Sequence, residues 1–194
     1  MEALKTAEAD NTRNNIAKAM CSLADSEEGC ASLVAAGACG VLVESLKTAE
    51  NDSTKSQIAW AMNQLAVNKE GRASLFAAGA CRTLVQALKT AEADDTRSDI
   101  AKAMCGLADG EEACASLVAA GACCVLVESL KTAEDNRLRG NIVSAMCNLC
   151  KSNKGFASLV AAGVCDVLVE AFKTAEDNRL RGNILIAMCN LTKS

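Results

Sequence analysis

LKTAE stands at 46–50, and the same five letters stand at 4–8, 88–92 and 130–134, with Phe172-Lys173-Thr174-Ala175-Glu176 one letter away. Successive copies begin 42 residues apart, and no insertion or deletion breaks the period. Glu2, Glu44, Gln86, Glu128 and Glu170 open the five copies. A fixed period of this size means a stack of units, each burying its apolar face only against its neighbours. The 194 residues are therefore expected to form one elongated domain.

Working outward from LKTAE, each period divides into three helical stretches. The first is short, as in Glu27 to Ala36, and stops at Gly37, a residue suited to the positive φ of a helix end. The second runs from about Cys39 to Ala49, with Val41, Leu42 and Leu46 as its apolar face. The third follows the polar turn Asn51-Asp52-Ser53-Thr54, and there Ile58, Ala61, Met62 and Leu65 recur at i, i+3, i+4 and i+7. The same stripe returns as Ile16, Ala19, Met20 and Leu23, and as Ile142, Ala145, Met146 and Leu149. Asp10, Asp52, Asp94, Asn136 and Asn178 stand where caps of these third helices are expected.

Composition agrees with helix and narrows the function. Proline and tyrosine are absent, and there are three Phe and one Trp, so the core is expected to be Leu, Ile, Val, Met, Ala and Cys. The net charge of −4 is interspersed in sign, with none of the clustered basic surface that nucleic acid requires. No run reaches the roughly 18 apolar residues of a membrane span. The opening MEALKTAEADNTR lacks the basic and apolar regions of a secretory leader. Ten of the twelve cysteines fall in recurring columns, and only Cys124 and Cys150 stand outside them. Members of a column lie one repeat apart, beyond the about 7 Å that a disulfide spans between Cα atoms. They are read as small, partly buried apolar residues of a reducing compartment, which makes an intracellular protein, cytoplasmic or nuclear, the expectation.

The three-helix period, with a first helix ending in LVAAGA, a second reading LVESL and a third reading IAWAMNQLA, resembles the armadillo repeat over essentially the whole chain. The resemblance implies an all-α right-handed superhelix. In that family's phase, residues 1–25 are a partial repeat: the end of a second helix, then a lone third helix. Complete repeats follow at 26–67, 68–109, 110–151 and 152–194. Armadillo repeats often carry a proline just after the glycine. Gly40, Arg82, Cys124 and Asp166 stand there instead, so the second helix is expected to start slightly earlier. The copies at 2–43 and 86–127 match each other better than either matches 44–85, and the last two share EDNRLRGNI. Recent duplication and deliberate idealisation both produce such a pattern.

Catalysis finds no foothold. There is no histidine, and serines such as Ser32 and Ser74 recur in every unit as packing positions. Neither GxGxxG nor GxxxxGK[ST] occurs, so no phosphate loop or cofactor site is expected. Cys147 and Cys150 form a lone C-x2-C without the further ligands of a zinc site.

A binding groove is the alternative that the resemblance implies, lined by stacked third helices. One ladder along it is Lys18, Trp60, Lys102, Ser144 and Ile186. One turn later comes Ser22, Gln64, Gly106, Asn148 and Asn190. A third is Arg13, Lys55, Arg97, Arg139 and Arg181, basic in every copy. Peptide-binding armadillo proteins use a Trp and, four residues on, an Asn that clamps the peptide backbone. Trp60 matches the first position, Asn148 and Asn190 match the second, and no repeat carries both. The basic column suits an acidic or phosphorylated protein or peptide, or it pairs with nearby acids such as Asp10 and Asp52. Trp60 suits an interface anchor, or packs on a neighbouring helix. The expected function is non-catalytic peptide or protein binding. The alternative is a self-assembling structural repeat unit with end-to-end stacking, natural fragment or engineered scaffold: the apolar Ile184-Leu185-Ile186 in the last third helix suggests either such stacking or a fragment cut from a longer array.

Overall fold

The computed structural model describes the backbone of residues 2–192 and the side chains of residues 10–192. Met1, Lys193 and Ser194 lie outside the described residues, and with them the extreme positions of the partial repeat 1–25 and of the last repeat 152–194. The fold is an all-α superhelix with thirteen helices among the described residues. After α1 (Glu2–Ala24), the first helices are α2 (Glu27–Ala35), α5 (Lys69–Ala77), α8 (Glu111–Ala119) and α11 (Asn153–Ala161). The second helices are α3 (Ala38–Thr48), α6 (Ala80–Thr90), α9 (Ala122–Thr132) and α12 (Val164–Thr174). The third are α4 (Asp52–Ala66), α7 (Asp94–Leu107), α10 (Asn136–Leu149) and α13 (Asn178–Thr192).

Local chemistry marks most boundaries. Three of the four first helices open on side-chain caps: Ser26 Oγ accepts the Gly29 N–H at 3.0 Å, Asn68 Oδ1 that of Gly71 at 2.6 Å, and Ser152 Oγ that of Gly155 at 3.1 Å, while α8 opens on Gly110 without one. They end at Gly37, Gly79, Gly121 and Gly163, whose φ values of 79°, 86°, 86° and 82° suit a residue without Cβ. There the chain bends by 75° between α2 and α3, and by 73° and 74° at α8–α9 and α11–α12. The second helices begin directly after the glycine, one residue before Cys39 and its equivalents. Among the described residues no single helix is long and apolar enough to cross a membrane. Those three bent pairs have the length and composition only when joined.

The recurring stripes build the core. Ile58, Ile100, Ile142 and Ile184 are wholly buried, as are Leu65, Met62, Met104 and Leu107. From the second helices Leu42, Leu84, Leu126 and Leu168 meet them. Each such side chain contributes about 1.5–3 kcal/mol relative to exposure. Because every column repeats at one period, the core is a continuous rod of small and branched aliphatics.

Two expectations need correction. The caps of the third helices lie one residue earlier than expected: Asn51 Oδ1 accepts the Thr54 N–H at 2.8 Å and Asp135 Oδ1 that of Leu138 at 2.8 Å, while Ala93 starts α7 with no side-chain bond. Asp52 and Asp94 are instead the first residues of α4 and α7, and their carboxylates, like that of Asp10, face the next repeat. Asp10 Oδ2 accepts the Glu50 and Asn51 N–H groups at 3.3 and 3.2 Å. Asp52 Oδ2 accepts those of Glu92 and Ala93 at 2.9 and 2.6 Å, and Asp94 Oδ2 those of Glu134 and Asp135 at 3.3 Å each. Each aspartate thus satisfies the loop that starts the following third helix. Burial raises the Asp52 carboxyl, but the Ala93 and Glu92 N–H groups and the Lys55 ammonium outweigh it and hold the group below its ordinary value.

The second correction concerns the partial repeat. No break separates a second-helix remnant from the third helix, because α1 runs unbroken from Glu2 to Ala24. In complete repeats the second helix is docked by buried residues such as Leu42, Val43 and Leu46, and the chain must turn after Thr48 to bring the third helix back. In α1 the helix-favouring LKTAE continues into the third helix without that turn.

Candidate functional site: the face of the third helices

Helices α1, α4, α7, α10 and α13 pack side by side, and theirs are the most extensive contacts between successive repeats. The face they present carries the ladder Lys18, Trp60, Lys102, Ser144 and Ile186. Lys18 and Ile186 are exposed, and the three between are partly buried. The Lys102 ammonium sits over the Trp60 ring, 4.2 Å from its centroid. Trp60 therefore packs on α7 through a cation–π contact and keeps part of its surface open, which joins the two readings its sequence position allowed.

One turn along, the second ladder is largely engaged within the protein. Gln64 Nε2 donates to Asp25 Oδ1 at 3.0 Å, and Ser22 Oγ to the Lys18 carbonyl at 3.3 Å. Asn148 Nδ2 donates to the Cys105 carbonyl at 2.9 Å and to Cys105 Sγ at 3.4 Å. Asn190 is partly buried on α13. Gly106 interrupts the ladder for a packing reason: a Cβ there would lie 3.2 Å from Ala66 Cβ and 3.5 Å from Asn63 Oδ1. Helices α4 and α7 approach closely at that point, and an asparagine would have to push them apart.

The basic column does something else. Arg13 pairs with Asp10 at 2.9 Å, Lys55 with Asp52 at 3.3 Å and Arg97 with Asp94 at 2.8 Å. Arg97 Nη2 then reaches the next repeat, donating to the Ser129 carbonyl at 3.1 Å and Thr132 Oγ1 at 2.8 Å. Arg139, buried, donates to the Ala171 carbonyl and Thr174 Oγ1, both at 2.7 Å. Arg13 makes a longer bond, 3.5 Å, to the Thr48 carbonyl, and Arg181 Nε turns to the Ala175 carbonyl of its own repeat at 2.9 Å. The last carbonyls of a helix lack intrahelical partners, and in repeats joined through Arg97 and Arg139 these guanidiniums supply them. Of the column expected along the groove, Arg13, Arg97 and Arg139 thus reach the second helix of the next repeat, while Lys55 is engaged by Asp52 and Arg181 by its own repeat. The i, i+3 spacing of Asp10 to Arg13, Asp52 to Lys55 and Asp94 to Arg97 carried that signal.

A charged network across the face was not anticipated. Arg137 pairs with Asp95 at 3.4 Å and, more closely, with Asp99, whose other oxygen accepts from Ser56 Oγ at 2.6 Å. Asn141 Nδ2 donates to the Ser98 carbonyl at 3.2 Å and Ser98 Oγ at 2.9 Å, and Lys151 pairs with Asp109 at 3.3 Å. Helices α4, α7 and α10 are tied together by these groups. The legible sign was opposite charge in one column of adjacent copies, Asp95 against Arg137 and Asp109 against Lys151.

The twelve cysteines are all unpaired thiols, six of them buried, three partly buried and three exposed. Burial pushes the Cys123 thiol up to about 12 and those of Cys21, Cys147 and Cys150 up to about 11. Among the described residues no three Cys, Asp or Glu side chains gather as metal ligands would.

No family model matches the sequence, and no curated protein matches it. Solved structures do match. One, described as an engineered protein, superposes with a TM-score of 0.87 at 25% identity, covering 95% of this chain and 75% of that one. A designed armadillo repeat protein in complex with the peptide (KR)4 gives 0.81 at 26%, covering 90% and 73%. Computationally designed armadillo repeat proteins for modular peptide recognition give 0.82 at 25%, covering 91% and 74%. The positive-φ glycine bend, the stacked third helices and this likeness along nine-tenths of the chain make the protein an armadillo-like α-solenoid, akin in fold to engineered and designed armadillo repeat proteins.

Proposed function

We propose that the chain is a peptide-binding scaffold that takes an extended segment along the concave face of α1, α4, α7, α10 and α13. The fold supports this, since structures of the same architecture are described as designed for peptide recognition and one holds the peptide (KR)4. The observation that carries the finer reading is the Lys102 ammonium 4.2 Å over the Trp60 ring. A basic peptide side chain seeking that ring meets a cation already in place. Lys18 stands exposed in the same ladder, and exposed Arg179 extends the positive character toward the C-terminal end. An acidic or phosphorylated peptide pairs with Lys102 while its chain lies against Trp60. The side-chain carbonyl of Asn148, whose amide nitrogen is held by Cys105, then serves as an acceptor for the peptide backbone.

Trp60 is the only tryptophan and there is no tyrosine, so its emission reports this place directly. Titration with glutamate-rich or phosphoserine peptides is expected to shift the emission saturably, whereas Lys-Arg peptides leave it unchanged. By calorimetry, Trp60→Ala is expected to weaken binding by about 2 kcal/mol, the scale of an interface anchor, and Lys102→Glu to reverse the charge preference. Tighter binding of basic peptides, or no saturable binding by either class, would overturn the reading.

A further inference from the structure

We infer that the hollow between α10 and α13 is a phosphate pocket, and that a peptide lying along the third helices places a phosphorylated side chain in it. The inference rests on the peptide reading above for the source of the phosphate, and on the hollow's own chemistry for the phosphate itself. A cavity of about 460 Å³ opens here, lined by Arg137 and Gly140 of α10, Arg179 and Asn183 of α13, and Lys102 of α7.

The hollow exists because one tie between neighbouring third helices is missing. Ser56 Oγ donates to Asp99 Oδ2 at 2.6 Å, and Ser98 Oγ accepts from Asn141 Nδ2 at 2.9 Å, each partner lying 43 residues on. Gly140 and Asn183 are the next pair in this series, and glycine has no hydroxyl to offer. Asn183 accordingly makes no side-chain hydrogen bond among the described residues. Its Nδ2 is the single atom beyond the glycine's own stretch of helix that a Cβ at Gly140 would meet within 4 Å, at 3.9 Å. The space of the missing serine is therefore open, and an unused amide donor borders it.

The charges change at the same place. Arg137 is held by Asp95 and Asp99 of the preceding repeat. Arg179 follows Arg137 in the same column, and the residues that stand to it as those two aspartates stand to Arg137 are Arg137 and Asn141. Its guanidinium has no ion pair among the described residues. Asp177 is the one carboxylate in the lining, and its Oδ1 already accepts the Arg179 backbone N–H at 2.6 Å. With Arg137 balanced by its aspartates, Lys102 and Arg179 leave the hollow positive. A phosphate monoester brings about two negative charges and three acceptor oxygens, where a carboxylate brings one charge and two oxygens. It is the anion that uses Lys102, Arg179 and Asn183 together.

The test is calorimetry with one peptide in two forms, glutamate or phosphoserine at its central position, beside inorganic phosphate alone. The phosphoserine form is expected to bind about tenfold more tightly, the scale of one added hydrogen bond to a charged group. Gly140→Ser copies Ser98: it fills the hollow and gives Asn183 its hydroxyl partner. Serine suits a helix better than glycine, so circular dichroism should show helicity and unfolding preserved. This variant should erase the phosphoserine preference and leave the glutamate form's affinity as it was, and Asn183→Ala should reduce the preference in part. Equal binding of the two forms by the parent, or a preference that survives Gly140→Ser, would overturn the pocket while the peptide reading stands. If neither form binds, the peptide reading falls by itself and inorganic phosphate decides the pocket. Saturation of the parent but not of Gly140→Ser upholds it as a site for small phosphates, and no saturation of the parent removes it.

Discussion

Replacing Gly71 by alanine tests how the repeat turns from third helix to first. A Cβ at Gly71 would lie 1.9 Å from the Leu65 carbonyl oxygen and 2.9 Å from Asn68 Oδ1. The oxygen belongs to the backbone, so a side-chain rotation cannot relieve the contact. Ordinary contact needs a displacement of about 1.5 Å, and the turn has to open by that amount. Opening it breaks the 2.6 Å bond from the Gly71 N–H to Asn68, a cap of about 1 kcal/mol. It also disturbs the fully buried Leu65 and Leu75 on either side, a packing loss of about 1–3 kcal/mol. The expected destabilisation is therefore about 3 kcal/mol in urea unfolding followed by circular dichroism. The chain contains its own control. At the equivalent place in the third complete repeat, Ala113 stands three residues after Gly110, a cap position without a side chain. Asn68→Gly combined with Gly71→Ala copies that arrangement, so the pair should cost clearly less than the sum of the two single changes. A Gly71→Ala loss under about 0.5 kcal/mol, or strict additivity, would refute the steric account.

Two further outcomes follow from the seams and the thiols. Arg139→Met strands the Ala171 and Thr174 acceptors in a buried seam and should cost about 1–3 kcal/mol, whereas Arg181→Met, exposed at the last repeat, should change stability by less than about 0.5 kcal/mol in the same unfolding assay. Cys124, Cys165 and Cys189 are exposed and should react first with a thiol reagent at pH 8, the six buried thiols following only as the protein unfolds. Because burial raises the folded values of Cys21, Cys147 and Cys150 to about 11 and of Cys123 to about 12, from 9.0, their contribution is fully present below pH 9. It is lost as pH climbs from there through 11 to 12. Cys123→Ala should flatten part of that alkaline decline, and an unchanged slope would remove Cys123 as a contributor.

The legible parts of this protein were the local and the periodic ones. Gly37 and its three counterparts needed only the rule that positive φ favours a residue without Cβ. The Ile58, Met62 and Leu65 stripe needed only helical geometry. Trp60 and Lys102 were placed in one ladder, and they meet there, because a column one period apart lands on adjacent third helices. The contacts that Arg97 and Arg139 make across to the next repeat were not legible, for a reason of rotation. Arg97 and Arg139 lie only a few residues before Lys102 and Ser144, but they project toward the second helix of the next repeat, and the direction depends on how third helices roll against their neighbours. The same holds for Asp10, Asp52 and Asp94, whose partners lie 40 and 41 residues on.

LKTAE itself marks where sequence stops and tertiary structure begins. The sequence by itself determined the period, the helical character and the apolar columns, since these follow from short-range sterics and the spacing of side chains. It did not determine where a helix ends. At 46–50, 88–92 and 130–134 the helix stops after Thr48, Thr90 and Thr132, and the next residues turn. At 4–8 the identical letters run on inside α1. The five residues carry the same propensities in every copy. The difference lies in the surroundings: Leu46, Leu88 and Leu130 are buried in the core, where the second helix has to end before the chain folds back into its third helix.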